Sequence, residues 1–182
     1  MEVWFTARRK FDPSFEVDWE KYIQWANLPQ LQEVISLDTV LCPSMFHQLI
    51  DEDWNWNVHQ DHRISYFRNL DYVIDRVKAN SNKFNVLAVT YEPALDPKNT
   101  FHDSRFEFCG FDLIGDDSDI SAINNCGGFE KAFDNTDVSA VGLFQSYAFT
   151  RDVQRKLRDN YPDEHHANCE LWAVWRLRNF DK

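Results

Sequence analysis

Apolar residues recur along this chain with two different periods, and the switches between them lay out its elements. Residues 3–6 read as a short opening strand. Asp18 is a helix N-cap by type. Trp19, Tyr22, Ile23 and Ala26 follow at helical spacing, and Pro29 marks the end of that helix because the residue before a proline avoids the helical region. Over 33–41 the period falls to two. Ile35, Leu37 and Leu41 share one face and Ser36 and Asp38 the other, the pattern of a strand with one wet side. Pro43 closes it.

The strongest helical period lies in 61–78. Ile64, Phe67, Leu70, Ile74 and Val77 form an apolar stripe, widened by Tyr66 and Val73, and Asn80-Ser81-Asn82 stops it. The polar and aromatic stretch before it, 51–61, reads as a loop. Phe84–Tyr91 is apolar on both faces and belongs at the centre of a sheet. Residues 105–114 read as its antiparallel partner. The chain must turn over 115–128, where Gly127-Gly128 permits backbone angles closed to other residues, and 129–133 reads as one helical turn. Thr150 caps the last helix, whose narrow stripe is Val153, Leu157 and Tyr161. Pro162 ends it. A strand over 169–178 closes the chain, with Leu171, Ala173, Trp175 and Leu177 facing one way.

Strands and helices do not alternate regularly. The expected fold is therefore α+β: a mostly antiparallel sheet of about five or six strands, with about three helices packed mainly on one face. The length of 182 residues and the lack of a linker fit a single globular domain over 1–182.

Composition adds a core and a charge. Seven Trp and fifteen Phe supply large buried areas per residue. The formal net charge of −11 repels phosphate backbones and anionic membrane surfaces, so nucleic acid and membrane are disfavoured as partners and a basic protein is favoured. No apolar run is long enough to span a bilayer. The opening Met1-Glu2-Val3-Trp4 lacks the basic and apolar regions of a signal peptide, and the four cysteines, Cys42, Cys109, Cys126 and Cys169, form no CxxC pair. The expectation is a cytoplasmic protein with free thiols.

Four local features carry candidate chemistry. Asp51, Asp53, Trp54 and Trp56 mix carboxylates with indoles in a loop, a pattern suited to anchoring a partner. Asp112, Asp116, Asp117 and Asp119 form an acidic run that fails the EF-hand spacing, because Ser121 and Ala122 stand where the next ligand and glycine belong. It reads as a solvated turn first and a partner-facing rim second. Cys126 precedes two glycines in N-N-C-G-G, a turn where backbone N–H groups gather. It is a candidate nucleophile if His59, His62, His102, His165 or His166 activates it, and a buried structural thiol on the plainer reading. His59, Asp61 and His62 are candidate metal ligands, set against a plain reading as polar surface residues. Nucleotide-binding glycine motifs and the G-x-S-x-G elbow are missing, and no cofactor is implied.

In size, acidity and aromatic content the chain resembles small bacterial proteins that bind and neutralise a partner, such as toxin-immunity proteins. That resemblance lies in composition and assigns no residue a role. The expected function is a non-catalytic acidic binding protein, immunity- or inhibitor-like, that blocks a basic protein partner. The rivals are a small hydrolase or transferase built on Cys126 and a histidine, and a His/Asp metal-binding protein.

Overall fold

A computed structural model describes residues 2–46, 65–116, 118–125 and 132–178. Among them the fold is α+β, with one antiparallel sheet and three α-helices. The sheet contains β1 (Trp4–Arg9), β2 (Phe84–Tyr91), β3 (Phe106–Gly115) and β4 (Cys169–Leu177) in the order β1-β2-β4-β3. The sheet thus has four strands, not five or six. The missing one is 33–41, which forms only an isolated bridge between Val34 and Phe11. Its Ile35 and Leu37 are buried as expected, but so are Ser36 and Asp38, so the alternation is real and the wet side is not. The last strand also inserts between β2 and β3, so 105–114 pairs with β4 and not with β2.

The two faces of the sheet are covered differently. Phe5, Ala7, Val86, Ala88, Ala173, Trp175 and Phe111 face a core shared with two helices. One is α2 (Leu70–Val77), which buries Leu70, Val73 and Val77. The other is α3 (Tyr147–Asn160), which buries Thr150, Val153 and Leu157. Small residues at positions 7, 88 and 173 leave room for rings to meet above them: Phe5 reaches within 5.9 Å of Phe106, and Phe108 within 5.3 Å of Trp175. The opposite face, with Leu87, Val89, Trp172 and Val174, packs on Ile35, Leu37, Tyr66 and Leu143, so extended segments form that layer. α1 (Trp19–Ala26) adds Trp19 and Ala26 to the core shared with α2 and α3, with Trp19 tilted against Phe11 and Tyr22 edge-on to it.

Caps and ends follow local chemistry. Ser146, not Thr150, caps α3, by accepting from the Phe149 N–H; Thr150 lies inside the helix and donates its hydroxyl to the Ser146 carbonyl. α2 begins at Asn69, whose side chain accepts from the Tyr72 N–H, so Tyr66 and Phe67 precede the helix. Phe67 instead exchanges two backbone hydrogen bonds with Phe5, at 2.7 and 2.8 Å. Asn80-Ser81-Asn82 carries a 3-10 segment, Lys78–Lys83, before β2 starts.

Both edges of the sheet are occupied. On the β1 side, Phe67 pairs with Phe5, and the Arg9 N–H donates to the Pro43 carbonyl at 3.0 Å. On the β3 side, Phe111 pairs with Phe144 and Ile114 with Ser121. A bulge between Phe108 and Gly110 bends β3. Gly110 has φ +143°, and a Cβ there would lie 2.6 Å from the Phe144 carbonyl oxygen and 2.7 Å from Leu143 Cβ. A larger residue has neither the space nor the backbone conformation.

Among the described residues, no helix is long and apolar enough to cross a membrane.

Candidate functional site

The end of the sheet where β2 hands over to its connection opens into a cleft of about 1030 Å³. Its walls come from the start of β1 (Glu2, Val3, Trp4), from Tyr66, from the end of β2 (Thr90, Tyr91), from 92–97, Thr100 and Phe101 of the connection, and from Trp172 of β4. That volume is at the upper end of ligand-sized pockets, roughly 300–1,000 Å³.

Strand register places its rings. Tyr91 lies opposite Trp172, and Trp4 opposite Val89, all on the face away from α2 and α3. Trp172 stacks on Tyr66 with centroids 5.1 Å apart and meets Tyr91 at 5.0 Å. The Trp4 ring carries the Arg68 guanidinium at 4.7 Å, and Arg68 also pairs with Glu2. The Tyr91 hydroxyl donates to Glu170 at 2.7 Å. Tyr91 and Leu95 nevertheless remain open to solvent, 45% and 79% exposed.

The connection that closes the cleft is built as a fixed wall. Glu92 adopts φ +40°, a conformation that needs external support. Its Oε1 accepts from the Leu171 N–H at 2.6 Å and from Gln154 at 2.7 Å, and its Oε2 pairs with Arg151. Arg151 and Tyr147 both donate to the Pro93 carbonyl, at 2.7 and 2.6 Å. Pro93 and Pro97 are buried. Asp96 accepts from the Lys98 N–H, and Thr100 bonds the Pro97 carbonyl through both N–H and hydroxyl. A wall held this way is formed before a ligand arrives, which removes part of the ordering cost of binding.

The cleft and its rim hold four carboxylates, Glu2, Glu92, Asp96 and Glu170, against two guanidinium groups, Arg68 and Arg151. Lys98, from the same connection, turns its ammonium toward Phe108 at 5.4 Å. The neighbourhood therefore combines one exposed ring, Tyr91, seated on buried ones, with an excess of negative charge.

A second polar cluster is closed to solvent. Asp38 and Asp112 are both fully buried. Asp38 accepts from the N–H groups of Val40, Leu41 and Ser121 and from Asn125 Nδ2, at 2.7–3.0 Å. Asp112 accepts from the Ser36 and Ser121 hydroxyls and from the N–H groups of Leu37 and Leu113, at 2.6–3.0 Å. Burial raises the Asp112 carboxyl above its ordinary range; the Ser36, Leu37 and Ser121 hydrogen bonds oppose this and the Asp38 charge adds to it. Four donors on each carboxylate make this cluster a brace between β3, the 33–41 segment and the loop after β3, with no acceptor left over for a ligand.

Residues singled out from the sequence fall in several places. Asp51, Asp53, Trp54, Trp56, His59, Asp61, His62, Asp117 and Cys126 lie outside the described residues. Asp116 and Asp119 are exposed on the turn after β3, away from the cleft lining, whereas Asp112 of the same acidic run lies inside β3 and is buried, so it belongs to neither a solvated turn nor a rim. The Asp119 carbonyl accepts from the Thr39 N–H at 3.0 Å, and its φ is +52°. His102 and His165 are exposed; His166 is buried, and burial lowers its pKa, followed by the charge of His165. Among the described residues no three His, Cys, Asp or Glu side chains gather as a metal site. Burial pushes the Cys109 and Cys169 thiols up to about 12, and Cys42 higher still.

The cleft residues Trp4, Tyr66, Tyr91, Leu95, Asp96 and Trp172 were not apparent from sequence, because they come from four separate segments. One signal was available: Trp172 and Val174 interrupt the polar face of the last strand, as they would if that face met a second apolar layer.

Compared with protein-family models, with curated proteins and with solved structures, the chain matches none.

Proposed function

We propose that this chain is a non-catalytic binding protein, immunity- or inhibitor-like, and that its cleft takes a basic segment of a partner protein. The observation that carries the reading is the exposed Tyr91 ring, backed by the buried Trp172 and Tyr66 rings, beside the carboxylates Glu2, Glu92, Asp96 and Glu170. Cations are attracted to aromatic faces, and at a solvent-exposed ring such as Tyr91 the attraction is worth about 0.5–1 kcal/mol. Arg68 already makes such a contact inside the molecule, seated on Trp4 and paired with Glu2. A partner's lysine or arginine repeats the same chemistry against Tyr91 and Asp96. The net charge of −11 steers a basic partner toward the encounter. Asp51, Asp53, Trp54 and Trp56, with the rim of Asp116, Asp117 and Asp119, are proposed as further contacts of that partner.

The test is titration with lysine- and arginine-rich peptides, followed by tryptophan fluorescence at two salt concentrations, with acidic and neutral peptides of equal length alongside. Basic peptides should bind more tightly, Tyr91→Ala should weaken them, and Asp96→Lys should lower the affinity most at low salt. Equal binding of all three peptide classes, or an unchanged affinity in Tyr91→Ala, would falsify the assignment to this cleft.

A further inference from the structure

Arg68 occupies a seat made of two cleft residues. Its guanidinium lies 4.7 Å from the centre of the Trp4 ring and pairs with Glu2. Trp4 and Glu2 both line the cleft, while Arg68 comes from the short segment between Tyr66 and α2.

The backbone on either side of this contact is held by other means. Phe67, next to Arg68, exchanges two hydrogen bonds with Phe5, and Asn69 caps α2 by accepting from the Tyr72 N–H. Trp4 is fixed in β1 opposite Val89, and the Glu2 carbonyl accepts from the Thr90 hydroxyl at 3.1 Å. Indole and carboxylate are thus set side by side without help from the Arg68 side chain, and such a seat is preformed for a cation. The pair itself is open to water, with the Arg68 and Glu2 side chains 56% and 59% exposed. Ion pairs and cation–π contacts this exposed add little stability, so the occupant can be exchanged at low cost.

The chemistry of the seat selects its occupant. Trp is the best aromatic partner for a cation. A guanidinium is planar, so it lies flat on an indole while its N–H fork reaches a carboxylate. An ammonium is a compact, strongly hydrated charge and gains less from the same two groups.

We propose that Trp4 and Glu2 form an arginine-binding subsite of the cleft, occupied in cis by Arg68, and that an arginine of the bound segment displaces Arg68 from it. This rests on the reading of the cleft as a site for a basic segment. It adds a preference for arginine over lysine and a self-occupied state that binding has to break.

The probes are three peptides of equal length that alternate glycine with arginine, lysine or citrulline, the last an uncharged isostere of arginine. Their affinities are measured by calorimetry at low salt for the wild-type chain, Arg68→Ala, and Arg68→Ala combined with Trp4→Leu. Arg68→Ala should keep the wild-type Tm and bind the arginine peptide roughly 3–30-fold more tightly, the factor for one exposed ion pair and one exposed cation–π contact no longer broken on binding. The lysine peptide should gain less and the citrulline peptide nothing. Trp4→Leu should cancel the gain; if that chain does not fold, Glu2→Gln in the Arg68→Ala background takes its place and should shrink the gain more for arginine than for lysine. Equal gains for arginine and lysine would trace the effect to the lost positive charge alone and overturn the proposal. So would an unchanged or weaker affinity in Arg68→Ala, or a marked fall in its Tm, which would make the pair a structural brace. In each of those cases, basic peptides that bind the wild-type chain and lose affinity in Tyr91→Ala leave the reading of the cleft standing. Basic peptides that bind no chain more tightly than the citrulline peptide sink both.

Discussion

Asp38 and Asp112 are joined through one residue, Ser121, whose N–H donates to Asp38 Oδ2 and whose hydroxyl donates to Asp112 Oδ1, both at 2.8 Å. The loop after β3 is thereby tied to the segment that covers the sheet and to β3 itself. Each Asp112 oxygen accepts one backbone N–H and one hydroxyl. An Asn there must aim its NH₂ at a backbone N–H, whichever way it is turned. Asp112→Asn is expected to cost about 1–3 kcal/mol, the range for a buried polar group left unsatisfied, measured by urea unfolding. A loss below half that range would show that the brace is slack.

The same carboxyl sets a pH dependence. Because burial raises its folded pKa, Asp112 binds its proton more tightly folded than unfolded. Its contribution to stability is complete below the unfolded carboxyl pKa, about 3.9, and is lost as pH rises through the folded value. The stability deficit of Asp112→Asn relative to wild type should therefore grow as pH is lowered from 7 toward 4. A deficit that shrinks in acid would reverse the sign and place the hydrogen bonds ahead of burial.

Thiol chemistry provides a simple check on the core. Cys42, Cys109 and Cys169 are buried with raised pKa values, so the thiolate that alkylating reagents need is scarce. Native protein treated with iodoacetamide at neutral pH should show no modification at these three residues by mass spectrometry, and complete modification in urea. Labelling of any of them before unfolding would contradict the burial described for it.

Packing on α2 is graded. Leu70 is buried and Ile74 only partly so. Leu70→Ala is expected to cost about 2–5 kcal/mol, and Ile74→Ala distinctly less. Chemical denaturation of the two variants side by side tests the order; equal losses would mean that the helix presents a different face.

Gly110→Ala should be more harmful than the small change in volume suggests. Its φ of +143° excludes a side chain, and the new Cβ would meet the Phe144 carbonyl oxygen and Leu143 Cβ. Backbone strain alone is worth about 1–3 kcal/mol, and thermal unfolding of the variant should show at least that loss. A near-neutral effect would argue that the bulge relaxes freely.

The periodic elements were readable because their side chains meet one environment per face. Leu70, Val73 and Val77 on α2, and Leu171, Ala173 and Trp175 on β4, each look into a single core. The segment over 33–41 misled for the converse reason. Ile35 and Leu37 face apolar neighbours while Ser36 and Asp38 face the Asp112–Ser121–Asn125 brace, so a buried polar network imitates a solvent face. Its backbone is occupied as well: the Leu37 N–H goes to Asp112 and the Ile35 N–H to the Val141 carbonyl, which leaves no ladder. Pairing of β4 between β2 and β3 could not be read from pattern, because β2 is apolar on both faces and accepts either neighbour. The cleft was hidden by its composition from distant parts of the chain.

The occupied edges of the sheet carry a consequence for crowded solutions. Cross-strand polymerisation begins when one molecule lends an open row of amides to the next. Here Phe67 and Pro43 have claimed the outer row of β1, and Phe144 and Ser121 that of β3. A second molecule must first peel these segments away before a strand can add. Concentrated protein should therefore resist seeding into fibrils until the tether at Phe5 and Phe67 is cut, and a proline at position 67, which removes one of its two hydrogen bonds, is the change that should open the door.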